Sequence, residues 1–130
     1  MVVGVPNSGL AASEGFSEVS GIPIGMGLVK NRYIMRSFIN PTQEMREQVV
    51  RAKFNVVADV VKNKRVVLVD DSLVRGTTSR ILIEMIRDAG AREVHFRLAS
   101  PPVKFPCYFG IDISKRTELA ANDRSMEQLC

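Results

Sequence analysis

The sequence predicts an α/β fold with a mostly parallel sheet flanked by helices. Two observations support this class. Short apolar runs rich in valine and isoleucine alternate along the chain with longer segments of helical period, which is the order expected of a parallel sheet with crossover helices. Clusters of Gly, Pro, Asn and Ser separate these segments and mark turns. With 130 residues, the chain is long enough for a single domain with a hydrophobic core.

The first elements are predicted to be a strand, a turn, a helix and a second strand. Residues 1–5 form an apolar run that predicts a buried strand, and Pro6-Asn7-Ser8-Gly9 predicts a turn. Residues 10–20 predict a helix whose start Ser8 would cap. The apolar side of this helix is predicted to comprise Leu10, Ala11, Phe16 and Val19. Residues 24–29 predict a second strand, which its two glycines would weaken.

The middle of the chain has a weaker pattern. Residues 42–54 predict a helix with a thin apolar stripe, which comprises Met45, Val49 and Ala52. A thin stripe indicates poor attachment to a core, so this region is a candidate mobile lid. Residues 55–62 are ambiguous, and a further short helix is one interpretation.

The stretch from residue 64 to residue 90 has the clearest pattern. The run from Val66 to Val69 predicts a strand that is buried on both faces. After a polar loop, a helix is predicted with Gly90 just past its end and an apolar side of Ile81, Leu82, Met85, Ile86 and Ala89. The loop therefore lies between a strand end and a helix N-terminus, where α/β sheets bind ligands and anions are favoured. Residues 93–99 predict a half-buried strand, and residues 117–121 and 125–129 predict short helices.

Composition excludes several classes of protein. The net charge is +4, which suits nucleic acid, a polyanionic small molecule or a solvated basic face. No Lys/Arg block and no tryptophan occur, so we expect no nucleic-acid partner. No apolar run approaches the roughly 20 residues of a membrane span, and no signal peptide is recognisable. Cys107 and Cys130 make no disulfide framework, so the chain is predicted to be cytoplasmic.

Asp70 and Asp71 are adjacent acids at the end of the predicted central strand. Neighbouring residues on a strand point to opposite sides, so both line one crevice only if the backbone turns here. Carboxylates in this place bind sugar hydroxyls or hold a hydrated Mg²⁺. A pair of solvated acids at a strand end is the alternative interpretation.

Residues 72–78 supply backbone amides, hydroxyl groups and one permissive glycine, Gly76. Thr77 and Thr78 would lie at the start of the helix, where such a loop suits a phosphate. An ordinary capped helix start is the alternative. Neither the Walker pattern nor the dinucleotide-binding glycine pattern is present.

Other polar residues narrow the chemistry further. Positive charge for a diphosphate is available from Lys30, Arg32, Arg36 and Arg46, with a solvated basic surface as the alternative. His95 is the only histidine, so neither a histidine-based metal site nor a Ser/His/Asp triad is expected. Cys107 has no CxxC partner nearby, which excludes a self-contained zinc site on spacing.

The motif VVLVDDSLVRGTTS resembles the phosphoribosylpyrophosphate-binding motif of the type I phosphoribosyltransferases. The flanking blocks GVPNSG, GIPIGMGLVKNRY, RSFINPTQEMREQ and FPCYFGIDIS are similar to the glutamine phosphoribosylpyrophosphate amidotransferases, also called amidophosphoribosyltransferases, over about residues 3–121. The resemblance implies a type I phosphoribosyltransferase fold, truncated at both ends. Residues 1–130 would then be one partial domain, and the glutaminase domain with its cysteine nucleophile would be absent.

The resemblance also implies a reaction and its site. That family forms 5-phosphoribosylamine from phosphoribosylpyrophosphate and ammonia derived from glutamine, the committed step of de novo purine biosynthesis. The resemblance implies catalytic roles for Asp70, Asp71 and Lys30. It also implies that Mg²⁺ is bound by Ser8, Asp70 and Asp71. The residues implied in substrate binding are Ser8, Gly9, Lys30, Arg32, Tyr33, Asp70, Asp71, Ser72, Val74, Arg75, Gly76, Thr77, Thr78 and Ser79. Residues 35–53 would be the flexible loop that closes over the substrate, which makes them the candidate lid. Cys107 matches a ligand of the [4Fe–4S] cluster that some members carry.

The chain also departs from that family's pattern. Asn7 replaces an acid, Met35 replaces a glycine and Ser37 replaces a threonine, and Met35 would stiffen the hinge of the lid. The other three cluster cysteines have no counterpart here. We therefore expect weak or no activity from this chain alone, and a homo-oligomer for the full-length protein. The alternatives are a nucleobase phosphoribosyltransferase and a non-catalytic regulator that senses phosphoribosylpyrophosphate.

Overall fold

The computed structural model describes residues 1–31, 33, 43–107 and 116–122. Within these ranges the strands are β1 (Val2–Gly4), β2 (Leu28–Lys30), β3 (Phe54–Val56), β4 (Arg65–Asp70) and β5 (Glu93–Leu98). The helices are α1 (Leu10–Ser20), α2 (Gln43–Lys53), α3 (Ala58–Val61) and α4 (Thr77–Asp88), followed by a 3₁₀ turn (Arg116–Glu118). No helix in the described ranges is long and apolar enough to cross a membrane.

The main sheet is parallel, with strand order β1-β4-β5. The central strand β4 pairs with β1 from Val67 to Val69 and with β5 along its whole length. The predicted α/β class and its parallel sheet are therefore confirmed. Because parallel strands end at one edge of the sheet, the residues after β1, β4 and β5 lie side by side.

A second, two-stranded sheet is antiparallel and was not predicted. In it β2 pairs with β3, and Lys30 lies opposite Phe54. The prediction of a strand over residues 24–29 is wrong in its bounds, since only a single bridge joins Ile24 to Val2 before β2 begins at Leu28. The glycines at 25 and 27 lie against other side chains and weaken strand pairing there. Residues 55–62, which were ambiguous, contain most of β3 and the short helix α3.

The hydrophobic core lies between the parallel sheet and α4. Ile81, Leu82 and Ile86 are fully buried and belong to one cluster with Val66 and Leu68 of β4. The predicted apolar side of this helix is confirmed, with Met85 and Ala89 partly buried at its margin. Gly90 follows the helix at φ 92°, as its position at the end predicted.

The predicted apolar side of α1 is wrong for three of its four residues, and only Phe16 is partly buried. Val19 is 91% exposed, and Leu10 and Ala11 are also exposed, whereas Ser13 is the buried residue of the helix. A Cβ added to Gly4 would meet the Ser13 side chain at 3.0 Å or less. The helix and β1 therefore approach each other through small residues, and Leu10 and Val19 remain exposed.

The described part of the candidate lid is attached to the core. Val50 of α2 is buried in the main cluster, whereas Ala52 is exposed. Arg51 of α2 also pairs with Glu84 of α4 at 2.9 Å, and Arg80 of α4 pairs with Glu47 of α2. The expectation of poor anchoring is wrong for the C-terminal half of α2. The valine that is buried there, Val50, was not part of the predicted stripe. Residues 35–42 of the candidate lid lie outside the described residues.

Candidate ligand site at the carboxyl edge of the parallel sheet

The centre of the site is the acid pair that ends β4. Asp70 is 7% exposed, and Asp71 is exposed at a bend of the backbone. The Asp71 amide donates to the Asp70 carboxylate at 2.9 Å, and the Ser72 amide donates to the Asp71 carboxylate at 2.8 Å. The chain therefore turns at the acids, which is the condition under which both were expected to face one crevice.

The turn after β1 lies against this acid pair. The Ser8 hydroxyl donates to Asp70 Oδ1 at 3.2 Å. The turn can come this close because residue 9 is glycine. A Cβ at this position would lie 3.0 Å from the Asp70 Cα and from the Val5 amide nitrogen, so any other residue would force the backbone to shift. The peptide bond between Pro6 and Asn7 is cis. The prediction that Ser8 caps α1 is wrong, because Gly9 holds the cap position without a side-chain hydrogen bond.

Asp70 is electrostatically perturbed. Burial raises its pKa from 3.8 to about 6, and the neighbouring Asp71 carboxyl adds to the rise. The Asp71 amide and the Ser8 hydroxyl oppose this shift in pKa because they hydrogen-bond the ionised form. A buried acid with a pKa near neutrality, beside a second acid, is characteristic of functional sites.

The loop after the acids leads into an open helix start. Gly76 is the N-cap of α4 in the left-handed conformation, at φ 79°, and no side chain in the described structure caps the helix there. The Arg80 amide donates to the Gly76 carbonyl at 3.0 Å. Earlier amides, among them that of Thr78, lie in the first turn, whose N–H groups have no partner within the helix. This geometry suits an anion, and Thr77 begins the helix as predicted.

Arg75 and Ser79, which are both implied in phosphate binding, form hydrogen bonds with other parts of the protein. Ser79 is buried, and its hydroxyl donates to the Gly76 carbonyl at 3.0 Å. Arg75 donates from Nε to Glu118 Oε2 at 2.8 Å. Glu118 was missed by the sequence analysis, because it lies 43 residues further along the chain and no spacing pattern links the two.

Two further predicted residues, Lys30 and Tyr33, are described but have no bond to the acid pair. Lys30 ends β2, and Tyr33 is almost fully exposed. No hydrogen bond or ion pair among the described residues joins either to Asp70 or Asp71. Arg32 and Cys130 lie outside the described residues, as do residues 125–129. Cys107 is a half-buried free thiol, and the described ranges contain no cluster of three metal-ligating side chains.

The fold and the site together define an α/β protein with a strand–loop–helix anion site beside an acid pair. No family model matches the chain. It is 54% identical over 129 residues to the amidophosphoribosyltransferases of Methanothermobacter thermautotrophicus and of Synechococcus elongatus, covering 99% of this chain and 27% and 26% of those proteins. The Bacillus subtilis amidophosphoribosyltransferase is 53% identical over the same length.

Solved structures agree with the sequence comparison. The glutamine phosphoribosylpyrophosphate amidotransferase of B. subtilis, complexed with ADP and GMP, superposes with a TM-score of 0.81 at 53% identity, over 98% of this chain and 28% of that one. A second structure, described as the allosteric regulatory enzyme of purine biosynthesis, gives 0.80 at 52% identity. This chain therefore corresponds to one region of the amidophosphoribosyltransferases, and it spans about 27% of the length of these relatives.

Proposed function

We propose that the chain is the phosphoribosyltransferase region of an amidophosphoribosyltransferase. In this role it binds phosphoribosylpyrophosphate, and ammonia displaces pyrophosphate from the anomeric carbon to give 5-phosphoribosylamine. The observation that carries the proposal is the acid pair, with Ser8 on Asp70, immediately before the uncapped start of α4. In a chain 54% identical to amidophosphoribosyltransferases, this arrangement matches a ligand that has both a ribose and a phosphate.

The ribose and its 5′-phosphate would bind to different parts of the site. Ionised carboxylates accept hydrogen bonds only, so Asp70 and Asp71 suit the two ribose hydroxyls. The loop amides and the positive end of the α4 dipole suit the 5′-phosphate. Lys30 and the turn at Ser8 and Gly9 are our candidates for the pyrophosphate group.

The residues present fit a magnesium ion that arrives with the substrate. Mg²⁺ is held in such sites by one or two carboxylates together with substrate oxygens, so a cage of three protein ligands is not required. Asp70, Asp71 and Ser8 offer oxygen ligands beside each other. The ion would neutralise charge on the pyrophosphate as it leaves.

The chain's own residues would position the reactants and exclude water. Ammonia is itself the nucleophile, and the bond to pyrophosphate breaks as the bond to nitrogen forms, so no protein nucleophile is needed. The carboxylates near the ribose stabilise positive charge that develops on the sugar ring. Holding ammonia and sugar in line further lowers the barrier, because it makes the encounter intramolecular.

The residues present do not fit an iron–sulfur cluster. Such a cluster takes four cysteine ligands, and the sequence contains two. We propose Cys107 as one ligand only in the context of a full-length protein that supplies the others.

The broader context belongs to the same proposal. We place this single phosphoribosyltransferase domain in a full-length, homo-oligomeric cytoplasmic enzyme, in which a separate glutaminase domain supplies ammonia from glutamine. One similar solved structure is described as the allosteric regulatory enzyme of purine biosynthesis, and we place the full-length enzyme in the same pathway.

The proposal is tested by pyrophosphate release from phosphoribosylpyrophosphate in the presence of Mg²⁺ and an ammonium salt. We expect slow release that rises with ammonia concentration and is lost in the Asp70→Asn/Asp71→Asn variant. Release that responds to a free purine or pyrimidine base and not to ammonia would show a nucleobase phosphoribosyltransferase. Tight binding of the substrate without any ammonia-dependent release would favour the regulator.

A further inference from the structure

A short segment after β5, here called the brace (residues 116–122), is joined to the loop that precedes α4. Glu118 of the brace accepts a hydrogen bond from Arg75 Nε at 2.8 Å. Two residues further on, the Ala120 amide donates to the Val74 carbonyl at 2.7 Å. The loop is therefore bound by a side-chain contact and by a main-chain contact to a segment distant in sequence.

The brace is itself fixed to the protein. Leu119 and Ala121 are buried, on either side of the residue that bonds the loop. Arg116 Nε donates to Asn122 Oδ1 at 2.7 Å, which closes the segment on itself. Because two buried residues anchor the brace and its own hydrogen bond closes it, its contacts restrict the conformations of the loop.

Arg75 is oriented by this support. Its side chain is 19% exposed, which is low for an arginine that would serve as a solvent-facing anion contact. The next residue, Gly76, is held at φ 79° and begins the turn that presents the first amides of α4. An orientation imposed on Arg75 is transmitted directly to this turn, because the two residues share a peptide group.

We propose that Glu118 is a positioning residue that holds Arg75 and thereby pre-forms the loop that takes the 5′-phosphate. This inference rests on the proposed function, and it assigns Arg75 a role different from that of a direct cation for the phosphate. Pre-forming a loop strengthens binding because the ordering entropy is lost before the ligand arrives. The loop amides then contact the phosphate, and Glu118 acts on the loop through Arg75.

The test compares Glu118→Gln, Arg75→Gln and the double variant in the full 130-residue chain. Calorimetry measures the affinity for ribose 5-phosphate and, separately, for pyrophosphate, both with Mg²⁺. We expect each single variant to weaken ribose 5-phosphate binding about fivefold, the effect of losing one partly exposed ion pair. The double variant should be no weaker than either single one, and pyrophosphate affinity should not change.

The matched control is Glu93→Gln. This substitution removes a contact of the same type, from Arg65 Nε to Glu93 Oε2 at 2.7 Å, at the opposite end of the strand pair β4 and β5. It should leave both affinities unchanged. Loss of pyrophosphate binding together with ribose 5-phosphate binding in Glu118→Gln would mean general disruption and would overturn the proposal.

The direct-contact alternative gives the opposite sign. If Arg75 binds the phosphate itself, Glu118→Gln removes a competing negative charge and ribose 5-phosphate binds as tightly or more tightly. That result overturns the inference.

A wild-type chain that binds neither phosphoribosylpyrophosphate nor ribose 5-phosphate overturns the proposed function instead. NMR of the Arg75 Nε–H group decides the contact without ligand: it should exchange slowly in the wild type and rapidly in Glu118→Gln, and equal exchange contradicts the inference.

Discussion

Two strand–turn–helix units end at the same edge of the sheet and differ in how their helices are held. In the first unit, β1 leads through Ser8 and Gly9 into α1, which packs on the strand through Ser13 and leaves Val19 exposed. In the second, β4 leads through the loop at Gly76 into α4, which buries three large aliphatic side chains. The first unit is built for close approach and the second for firm anchoring of an open helix start.

This difference explains the chemistry of each turn. Close approach brings the Ser8 hydroxyl to the Asp70 carboxylate. The buried side chains lie on the apolar side of α4, and no side chain among the described residues caps the start of this helix, which therefore suits an anion. One structural pattern therefore supplies a hydroxyl in one place and a set of N–H groups in the other.

The largest effect is expected from breaking the anchor of α4. Leu82→Ala removes a fully buried side chain and should lower the free energy of unfolding by about 3–4 kcal/mol. The corresponding change on α1, Val19→Ala, should stay within about 0.5 kcal/mol because the side chain is exposed. Urea unfolding followed by circular dichroism measures both, and equal losses would contradict the contrast between the helices.

The second effect separates the two turn glycines. Gly9→Ala places a Cβ 3.0 Å from the Asp70 Cα and should cost about 2–3 kcal/mol, since backbone atoms must shift. In Gly76→Ala the added Cβ has no atom nearer than 3.8 Å. Only the positive φ should then lower the free energy of unfolding, by about 1 kcal/mol. Thermal unfolding of the two variants gives the comparison. A larger loss of stability in Gly76→Ala than in Gly9→Ala would contradict this difference between the two turns.

The third substitution, Asp70→Asn, should raise the free energy of unfolding, because it removes a buried acid that is ionised at pH 7. Its pKa rises from 3.8 to about 6 on folding, so the native state binds the proton more tightly and wild-type stability falls as pH rises from about 4 to 6. Asp70→Asn should therefore stabilise the chain at pH 7 by about 2 kcal/mol. The gain should vanish below pH 4. Asp71→Asn, at an exposed position, is the control and should change stability little.

The smallest effect concerns the link between the two units. Ser8→Ala removes the hydroxyl that favours ionised Asp70, so the pKa of Asp70 should rise further above 6. Stability at pH 7 should fall by about 0.5–1 kcal/mol. A ¹³C NMR titration of the Asp70 carboxyl measures the shift directly. An unchanged or lower pKa would show that the Ser8 contact does not stabilise the carboxylate.

The sequence predicted the second unit better than the first for a physical reason. Burial of Ile81 and Ile86 follows from helical spacing, which is local information. The packing of α1 depends on Gly4 and Ser13 meeting across the chain, and small residues give no hydrophobic period. β3 was missed for a similar reason, because its pairing with β2 is a tertiary choice made over only three residues.

The residues of the candidate site also differ in whether local sequence predicts them. Asp70, Asp71 and the loop at Gly76 were predicted because strand, acids and helix start are contiguous in sequence. The contact of Ser8 with Asp70 and that of Glu118 with Arg75 span 62 and 43 residues. No local sequence pattern links residues so far apart in the chain. Ser8 was assigned to the site only through the family resemblance, and Glu118 was not predicted at all.

The most direct test of the central claim is calorimetric titration of the chain with phosphoribosylpyrophosphate in the presence of Mg²⁺. We predict saturable binding to the wild type, with affinity falling at least about tenfold in the Asp70→Asn/Asp71→Asn variant. Because Asp70→Asn should stabilise the fold, such a loss cannot be ascribed to unfolding. Equal affinity of the wild type and the double variant would contradict the account.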